Sequence, residues 1–240
     1  MQIKACWKPS AEIQQKAYLF IPGKVYLMPG ELEQSWAEFR RAWNDLAEDQ
    51  YVQKPYCYRR RRYGRVLFDR ESGRLTPRPH TTFVQSKMMN PLYGGVQREF
   101  EAIRDEGIRN PCLCRLISSD LERLVSFSES NSNWLVGIHQ IRIEGLCGKL
   151  VAPAPEGVHR DGSHFIGMHL IHRTNIRGGI STIHSDDGAV LATIELRDTL
   201  DTILLDDMQV MHSVGVVEPL DNTQKAIRDM LILTYDPEDI

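Results

Sequence analysis

The segment Val158-His159-Arg160-Asp161-Gly162 lies where the chain has become rich in short strand-like runs. From residue 134 onward, seven such runs are separated by turns that contain Gly, Pro, Asp and Asn, which is the usual pattern of β-strands. This density of strands predicts a compact all-β sandwich or barrel. The predicted strands are Trp134–Glu144, Phe165–Arg173, Ile180–His184, Val190–Leu196, Thr202–Leu205, Val210–Val217 and Ile227–Tyr235.

The His-x-Asp pair within this segment is a candidate metal site. Side chains alternate along an extended segment, so His159 and Asp161 project to the same side. A further histidine, His212, follows several predicted strands later. If the three side chains converge, two imidazoles and one carboxylate form a face that holds divalent iron and leaves other coordination positions open. Arg228, near the start of the last predicted strand, would then bind the far carboxylate of an acid on the metal.

The order His-x-Asp, distal His and then Arg resembles that of the iron(II)- and 2-oxoglutarate-dependent dioxygenases. The closer resemblance is to a bacterial subfamily that includes L-isoleucine hydroxylases and BsmA-like proteins. It extends from about residue 57 to the C-terminus. The matching segments are Arg61–Arg65, Gln85–Gly95, Gly137–Arg142, Val158–Gly162, Gly178–Gly179, Val210–Val214 and Ile227–Asp229.

The resemblance implies a double-stranded β-helix core and the hydroxylation of a small substrate, coupled to decarboxylation of 2-oxoglutarate to succinate. The implied iron(II) ligands are His159, Asp161 and His212. Arg228 would pair with the distal carboxylate of 2-oxoglutarate. Many relatives carry Ser or Thr two residues after this arginine, where Met230 stands here, and Thr234 on the same strand face is a candidate helper. Ascorbate is a candidate addition in vitro.

A free aliphatic L-amino acid is the substrate that the resemblance favours. Gln140 and Arg142 follow apolar neighbours on one face of their predicted strand, which suggests a pocket wall with polar groups facing inward. We expect Arg142, or else Arg59 or Arg61, to bind the α-carboxylate of the amino acid. Tyr63 shares a strand face with Arg61 and belongs to the same candidate substrate site. For Arg142, a salt bridge at a sheet edge is an equally good interpretation.

Two other classes of protein remain open at this point. The same three ligands bind zinc well, so a cupin-like zinc enzyme is an alternative. The separate arginine, with no Glu general base nearby, favours the oxygenase. A non-catalytic stress- or biofilm-related binding protein on the same fold is the second alternative, because BsmA-like proteins belong to the resembling subfamily.

The bulk properties are those of an ordinary globular protein. The 240 residues carry a net charge of −3 at a sequence pI near 6.2, so neither a nucleic acid nor a membrane is the expected partner. The run Arg59–Arg62 is too short to change this expectation. An odd number of cysteines and the lack of a signal-like or long apolar segment favour a cytoplasmic protein, expected as a monomer or homodimer. The five cysteines are Cys6, Cys57, Cys112, Cys114 and Cys147.

We expect one domain, in which residues 1–133 form a buttress of helices and strands and residues 134–240 form the double-stranded β-helix core. Within the buttress, apolar spacings of three and four predict a helix over Glu31–Leu46. Residues 56–68 alternate and predict a strand. A second helical block is predicted from near Gly95, and a third after the break at Asn110-Pro111.

Overall fold

The structure, a computed structural model, describes residues 7–26, 30–52, 58–90, 92–127, 133–145 and 147–238. Most of the secondary structure in these residues is β-strand. The strands are β1 (Trp7–Pro9), β2 (Tyr18–Ile21), β3 (Ala47–Glu48), β4 (Arg59–Asp69), β5 (Arg74–Pro77), β6 (Val125–Phe127), β7 (Asn133–Gly145), β8 (Phe165–Thr174), β9 (Ile176–Gly178), β10 (Ser181–His184), β11 (Val190–Ile194), β12 (Thr202–Asp206), β13 (Met211–Val214), β14 (Val217–Pro219) and β15 (Ala226–Glu238). The α-helices are α1 (Ala11–Lys16), α2 (Glu33–Arg41), α3 (Asp105–Ile108) and α4 (Pro111–Leu124), and 3-10 helices cover Gly23–Tyr26, Gly30–Leu32 and Ala42–Asp45.

One large antiparallel sheet organises the molecule. Its strand order is β2-β12-β8-β15-β7-β4-β3, with β5 paired to the outer half of β4. A smaller sheet has the order β11-β10-β13. Apolar side chains of both sheets meet in one core cluster, which includes Ile166, Ile203 and Met230 from the large sheet and Ile183 from the small one. The small sheet therefore packs on one face of the large sheet.

Helices cover the opposite face of the large sheet. Phe39 and Trp43 on one helical segment and Leu116 on α4 are buried there against Val136 and Leu231. The Trp43 indole Nε1 lies 3.2 Å from the carbonyl oxygens of both Ile141 and Met230. The central strands β7 and β15 are thus enclosed between helices on one side and the small sheet on the other, which explains their nearly continuous burial.

The sequence motif Asn110-Pro111 begins α4 as predicted. The Asn110 side chain accepts a hydrogen bond from the Cys112 N–H, and Pro111 occupies the first turn, where its missing N–H has no consequence. The helix predicted over Glu31–Leu46 forms as α2 followed by a 3-10 turn. The predicted strands form within a few residues of their expected ends, except that Val210–Val217 is divided into β13 and β14.

The helical block predicted from near Gly95 is wrong. Arg98 and Phe100 are buried at a spacing of two, and the backbone of Arg98 pairs with that of Phe83. Tyr63 in β4 pairs with the chain near Ala102, and only the short α3 follows. Pairing with neighbouring chain segments has overridden the local helical spacing.

The expected boundary at residue 133 does not separate two structural layers, because β2, β3 and β4 are members of the large sheet. The single-domain assignment stays a prediction. Cys112, Cys114 and Cys147 are free thiols, while Cys6 and Cys57 lie outside the described residues. Among the helices described, none combines the length and the apolar character needed to cross a bilayer.

Candidate active site

A cleft opens between the large sheet and the small sheet. Strands β4, β7, β8 and β15 of the large sheet line it from one side, and β10 and β13 line it from the other. The space at the cleft is about 880 Å³ when the open solvent at its mouth is included. His159, Asp161, His212 and Arg228 all line this cleft.

His159 and His212 are held together by their backbones. The N–H of each donates to the carbonyl oxygen of the other, at 3.0 and 2.9 Å, and the two ring centroids are 4.5 Å apart. Asp161 lies close to both, with 3.7 Å between its Oδ1 and His159 Nε2 and 3.8 Å between its Oδ2 and His212 Nε2. One ligand atom from each of the three residues lies within 4.8 Å of the others. The structure thus brings together the predicted metal-binding residues.

The protonation of His212 and Asp161 suits a divalent metal. His159 Nδ1 donates to the Gly157 carbonyl oxygen at 2.9 Å, and its other ring nitrogen, Nε2, faces Asp161. Burial and the neighbouring His159 lower the pKa of His212 to about 4, so its imidazole is neutral near pH 7. Burial raises the pKa of Asp161, but His212, His159, Arg61 and the Gln85 hydrogen bond together lower it below its usual value, and the carboxyl group is ionised. Neutral imidazoles and an ionised carboxylate are the forms that bind a metal ion.

The orientation of Asp161 is fixed by Gln85. The amide nitrogen of Gln85 donates to the carbonyl oxygen and the Oδ1 of Asp161, both at 3.1 Å. The amide oxygen of Gln85 in turn accepts from Asn90 at 2.9 Å and from Arg98 at 2.5 Å. Because two donors occupy that oxygen, the amide cannot flip without losing both bonds. In the sequence, Gln85 and Asn90 belong to a resembling segment, but nothing there indicates this role.

Asp207 also lies beside the metal-binding residues, and sequence reasoning missed it. Its carboxylate is buried and accepts hydrogen bonds from the N–H of Gly162 at 2.7 Å and of Asp161 at 3.3 Å. Its Oδ1 is 3.8 Å from His212 Nδ1. Burial and the charge of Asp161 raise the pKa of Asp207 to about 7. The only signal in the sequence is its position at the end of a predicted strand, five residues before His212.

Arg228 presents a buried positive charge to the cleft. The residue is 4% exposed, and within the described ranges it has no carboxylate partner, while its Nε lacks any hydrogen-bond acceptor. Burial and the nearby Arg173 lower the pKa of Arg228 to about 10. A Cβ atom at Gly179 would lie 3.2 Å from Arg228 Nε, so a glycine there lets the guanidinium lie close to the backbone. Such a group is a site for an anion.

A second arginine, Arg61, lines the cleft elsewhere. Its Nη2 donates to His139 Nδ1 at 2.6 Å, and its guanidinium lies 4.1 Å from the Phe100 ring centroid. No ion pair reaches Arg61 in the part of the chain described, and its buried Nε has no acceptor there. Burial and the charge of Arg59 lower the pKa of Arg61 to about 9. Arg59, in contrast, binds Asp49 at 2.7 Å and the Pro153 carbonyl oxygen at 3.0 Å.

Tyr63 lies behind the cleft wall. Its ring stacks on His139 with 4.7 Å between centroids, and His139 accepts the Arg61 hydrogen bond on its other side. Burial and the charge of Arg61 hold the pKa of His139 well below its usual value, so the imidazole is neutral. Tyr63 is therefore placed to support the Arg61–His139 pair, without lining the cleft itself.

Besides Tyr63, three further expected site residues do not line the cleft. Gln140 and Arg142 lie on the helix-covered face of β7, whereas His139, Ile141 and Ile143 on the opposite face line the cavity. Arg142 forms a buried two-bond ion pair with Asp229, at 2.7 and 2.8 Å.

Thr234 shares a strand face with Arg228 but is six residues further along, or about 20 Å at strand rise. A Cβ atom added at Gly137, in the neighbouring strand, would clash with its Oγ1. The Thr234 side chain therefore lies far from Arg228 and outside the cleft.

A two-histidine, one-carboxylate cluster that shares a cleft with a buried arginine is the arrangement typical of mononuclear non-haem iron oxygenases that use a 2-oxo acid. A family model described as 2OG-Fe dioxygenase matches residues 40–234, and the chain belongs to this family. Iron(II) and 2-oxoglutarate are therefore its cofactor and cosubstrate, and the core is a double-stranded β-helix as expected. The zinc-enzyme and non-catalytic alternatives are set aside on the same grounds.

Individual relatives are distant but match over nearly the whole chain. An L-isoleucine-4-hydroxylase from Bacillus thuringiensis is 24% identical over 227 residues, which cover 93% of this chain and 92% of that protein. A 3(1)-hydroxy-L-isoleucine 4-dioxygenase from Pantoea ananatis is 23% identical over 238 residues, 94% of each. The crystal structure of a bsmA homolog from Methylobium petroleophilum PM1 is similar with a TM-score of 0.79 and 27% identity, covering 93% of this chain and 90% of that one. The expected subfamily resemblance is confirmed.

Proposed function

We propose that this dioxygenase hydroxylates a free aliphatic L-amino acid, with iron(II) held by His159, Asp161 and His212. The observation that carries the proposal is the pair of buried guanidinium groups, Arg61 and Arg228, which line the same cleft as the three ligands. Neither has an ion-pair partner among the described residues. A buried charge is costly unless it is paired, so two arginines in this state are suited to two separate carboxylates.

Each arginine suits one of the two acids that the reaction needs. Arg228 is placed to bind the distal carboxylate of 2-oxoglutarate, as its position in the sequence order suggests. Arg61 is held by His139 and by its stacking on Phe100, and it is placed to bind the α-carboxylate of the amino acid. Two relatives that match more than nine-tenths of the chain act, by their names, on L-isoleucine or its hydroxylated form, which favours an aliphatic side chain.

The rest of the cleft supplies an apolar surface for such a side chain. Its apolar lining residues include Ile141, Ile143, Met168, Met230 and Ile232. When bound, iron(II) and 2-oxoglutarate supply the oxidising chemistry that uses oxygen to hydroxylate a carbon–hydrogen bond. The chain contributes three metal ligands, two cationic groups that fix the acids in place, and walls that exclude water from the reacting carbon.

A screen of the twenty amino acids tests the proposal directly. Succinate release is measured with iron(II), 2-oxoglutarate and ascorbate, beginning with leucine, isoleucine and methionine. We expect release well above the substrate-free rate for at least one aliphatic amino acid, and loss of that increment in His212→Ala. If no amino acid stimulates turnover in a protein that binds iron and 2-oxoglutarate, the proposed substrate class is wrong.

A further inference from the structure

Glu156 carries a negative charge at the cleft that neither the iron ligands nor the two arginine sites require. It is half-buried and lines the same cleft as Arg61. Its Oε2 is buried without a hydrogen-bond partner, and no ion pair reaches the residue, as far as the chain is described. A buried carboxylate oxygen left without a donor costs folding free energy. Such a group commonly has a functional partner that is not part of the chain.

The backbone around Glu156 is anchored on both sides. Glu156 lies in the turn 154–157, closed by the Gly157 N–H to the Ala154 carbonyl oxygen at 3.3 Å, and Gly157 has a φ of +74°. On one side, the Pro153 carbonyl oxygen accepts a hydrogen bond from Arg59. On the other, the Gly157 carbonyl oxygen accepts from His159 Nδ1. These hydrogen bonds therefore fix the position of the turn that carries Glu156, between Arg59 in β4 and the proposed iron ligand His159.

Two arginines, Arg98 and Arg59, lie in the surroundings of Glu156, but neither forms an ion pair with it. Its charge acts on Arg98, whose pKa burial lowers and Glu156 raises. Arg98, however, donates to Gln85 at 2.5 Å and lies over the Phe83 ring. Arg59 is engaged by Asp49. Glu156 and Arg61 thus line the same cleft, and each lacks an ion-pair partner within the described ranges, as Arg228 does.

We propose that Glu156 binds the α-ammonium group of the substrate, so that Glu156 and Arg61 together recognise a zwitterion. This inference rests on the proposed function and assigns the residue that recognises the free amine of its amino-acid substrate. A des-amino acid would leave Glu156 buried and unpaired, and an N-acylated acid would add bulk without a positive charge. Both compounds should therefore bind more weakly than the amino acid, because the Glu156 carboxylate would stay without a positively charged partner.

Binding of matched acids to the iron(II)- and 2-oxoglutarate-loaded protein, under anaerobic conditions and measured by calorimetry, tests this role. The pairs are L-isoleucine with 3-methylpentanoate and L-leucine with 4-methylpentanoate, which differ only by the amine. For the wild type we expect the amino acid to bind at least about 30-fold more tightly, as for other buried charge pairs. Glu156→Gln should remove most of that preference while leaving 2-oxoglutarate binding unchanged.

A matched control is Glu12→Gln, which makes the same chemical change at an exposed position in the first turn of α1. It should keep the wild-type preference. If Glu156→Gln also keeps it, Glu156 does not bind the amine. If the wild type binds both members of each pair equally, the zwitterion inference fails, yet hydroxylation of a carboxylic acid remains intact. If none of the acids binds while 2-oxoglutarate does, the amino-acid proposal fails as well.

Discussion

Replacing Arg228 with methionine should change two properties in opposite directions. Burial and Arg173 lower the pKa of Arg228 from 12.5 to about 10, and a tenfold change in an ionisation constant is worth about 1.4 kcal/mol. The folded, ligand-free protein therefore loses about 3 kcal/mol of stability near pH 7 by holding this guanidinium charged. Methionine keeps much of the apolar stem and removes the charge, so Arg228→Met should stabilise the ligand-free protein by up to about 3 kcal/mol.

The same substitution should weaken 2-oxoglutarate binding. Removal of one partner of a buried, hydrogen-bonded charge pair costs about 2–5 kcal/mol, which is at least about 30-fold in affinity. Urea unfolding in the presence of a chelator measures the first effect, and anaerobic titration of the iron(II)-loaded protein with 2-oxoglutarate measures the second. Arg177→Met is the control, because Arg177 is 65% exposed in an ion pair with Glu218, and surface pairs of this kind contribute about 0–1 kcal/mol.

The reasoning is refuted if Arg228→Met lowers the free energy of unfolding and leaves the affinity for 2-oxoglutarate unchanged. That combination would mean that the guanidinium is a structural group whose partner lies within the chain. A stable variant with unaltered affinity would also remove Arg228 from cosubstrate binding.

Three further substitutions separate the roles assigned to neighbouring residues. Arg61→Met should raise the KM for the amino acid at least about 30-fold with little change in the 2-oxoglutarate requirement; an equal rise for both would place it elsewhere in the mechanism. Gln85→Leu should weaken iron(II) binding about 10- to 100-fold, since it releases Asp161, and this is measured by metal titration; an unchanged affinity would contradict the role. Arg142→Met leaves Asp229 buried and unpaired, so urea unfolding should show a loss of about 3–5 kcal/mol, while the folded variant keeps its kcat/KM. A specific loss of substrate binding in Arg142→Met would instead mean that Arg142 binds the substrate.

The proposed iron-binding residues could be predicted because their signal is an ordered set of residue types. His159 and Asp161 are two residues apart on an extended segment, and His212 follows on a strand whose position the turn residues reveal. Their convergence still depends on a backbone pairing between residues 159 and 212, which no local pattern shows. The family order of motifs supplied that step.

The choice of strand face could not be made from the sequence. Alternation correctly separates Gln140 and Arg142 from His139 and Ile141, but both faces of β7 are buried, one by helices and one by the cleft. A strand that is buried on both sides carries no polarity difference to show which face is functional. Polar residues on the helix-covered face can be satisfied by a buried ion pair, as Arg142 is by Asp229.

Site residues on loops that are distant in the sequence could not be predicted either. Glu156 follows a Pro/Gly-rich stretch that predicts only a turn, and Asp207 follows a strand with no motif of its own. Their relevance arises from the tertiary structure, which places one at the cleft and the other on the backbone amide of Asp161. Thr234 shows the converse: it shares a strand face with Arg228, but β15 continues well past the end of the cleft.

The most direct test is anaerobic titration of the purified protein with iron(II) and 2-oxoglutarate, followed by its weak metal-to-ligand absorption band. We predict that the band develops to one iron and one 2-oxoglutarate per chain in the wild type. It should be lost in His212→Ala, whose cooperative unfolding shows that the fold remains. An undiminished band in His212→Ala, or no band in the wild type at saturating iron(II) and 2-oxoglutarate, would contradict the assignment of residues 159, 161 and 212 as the ligands.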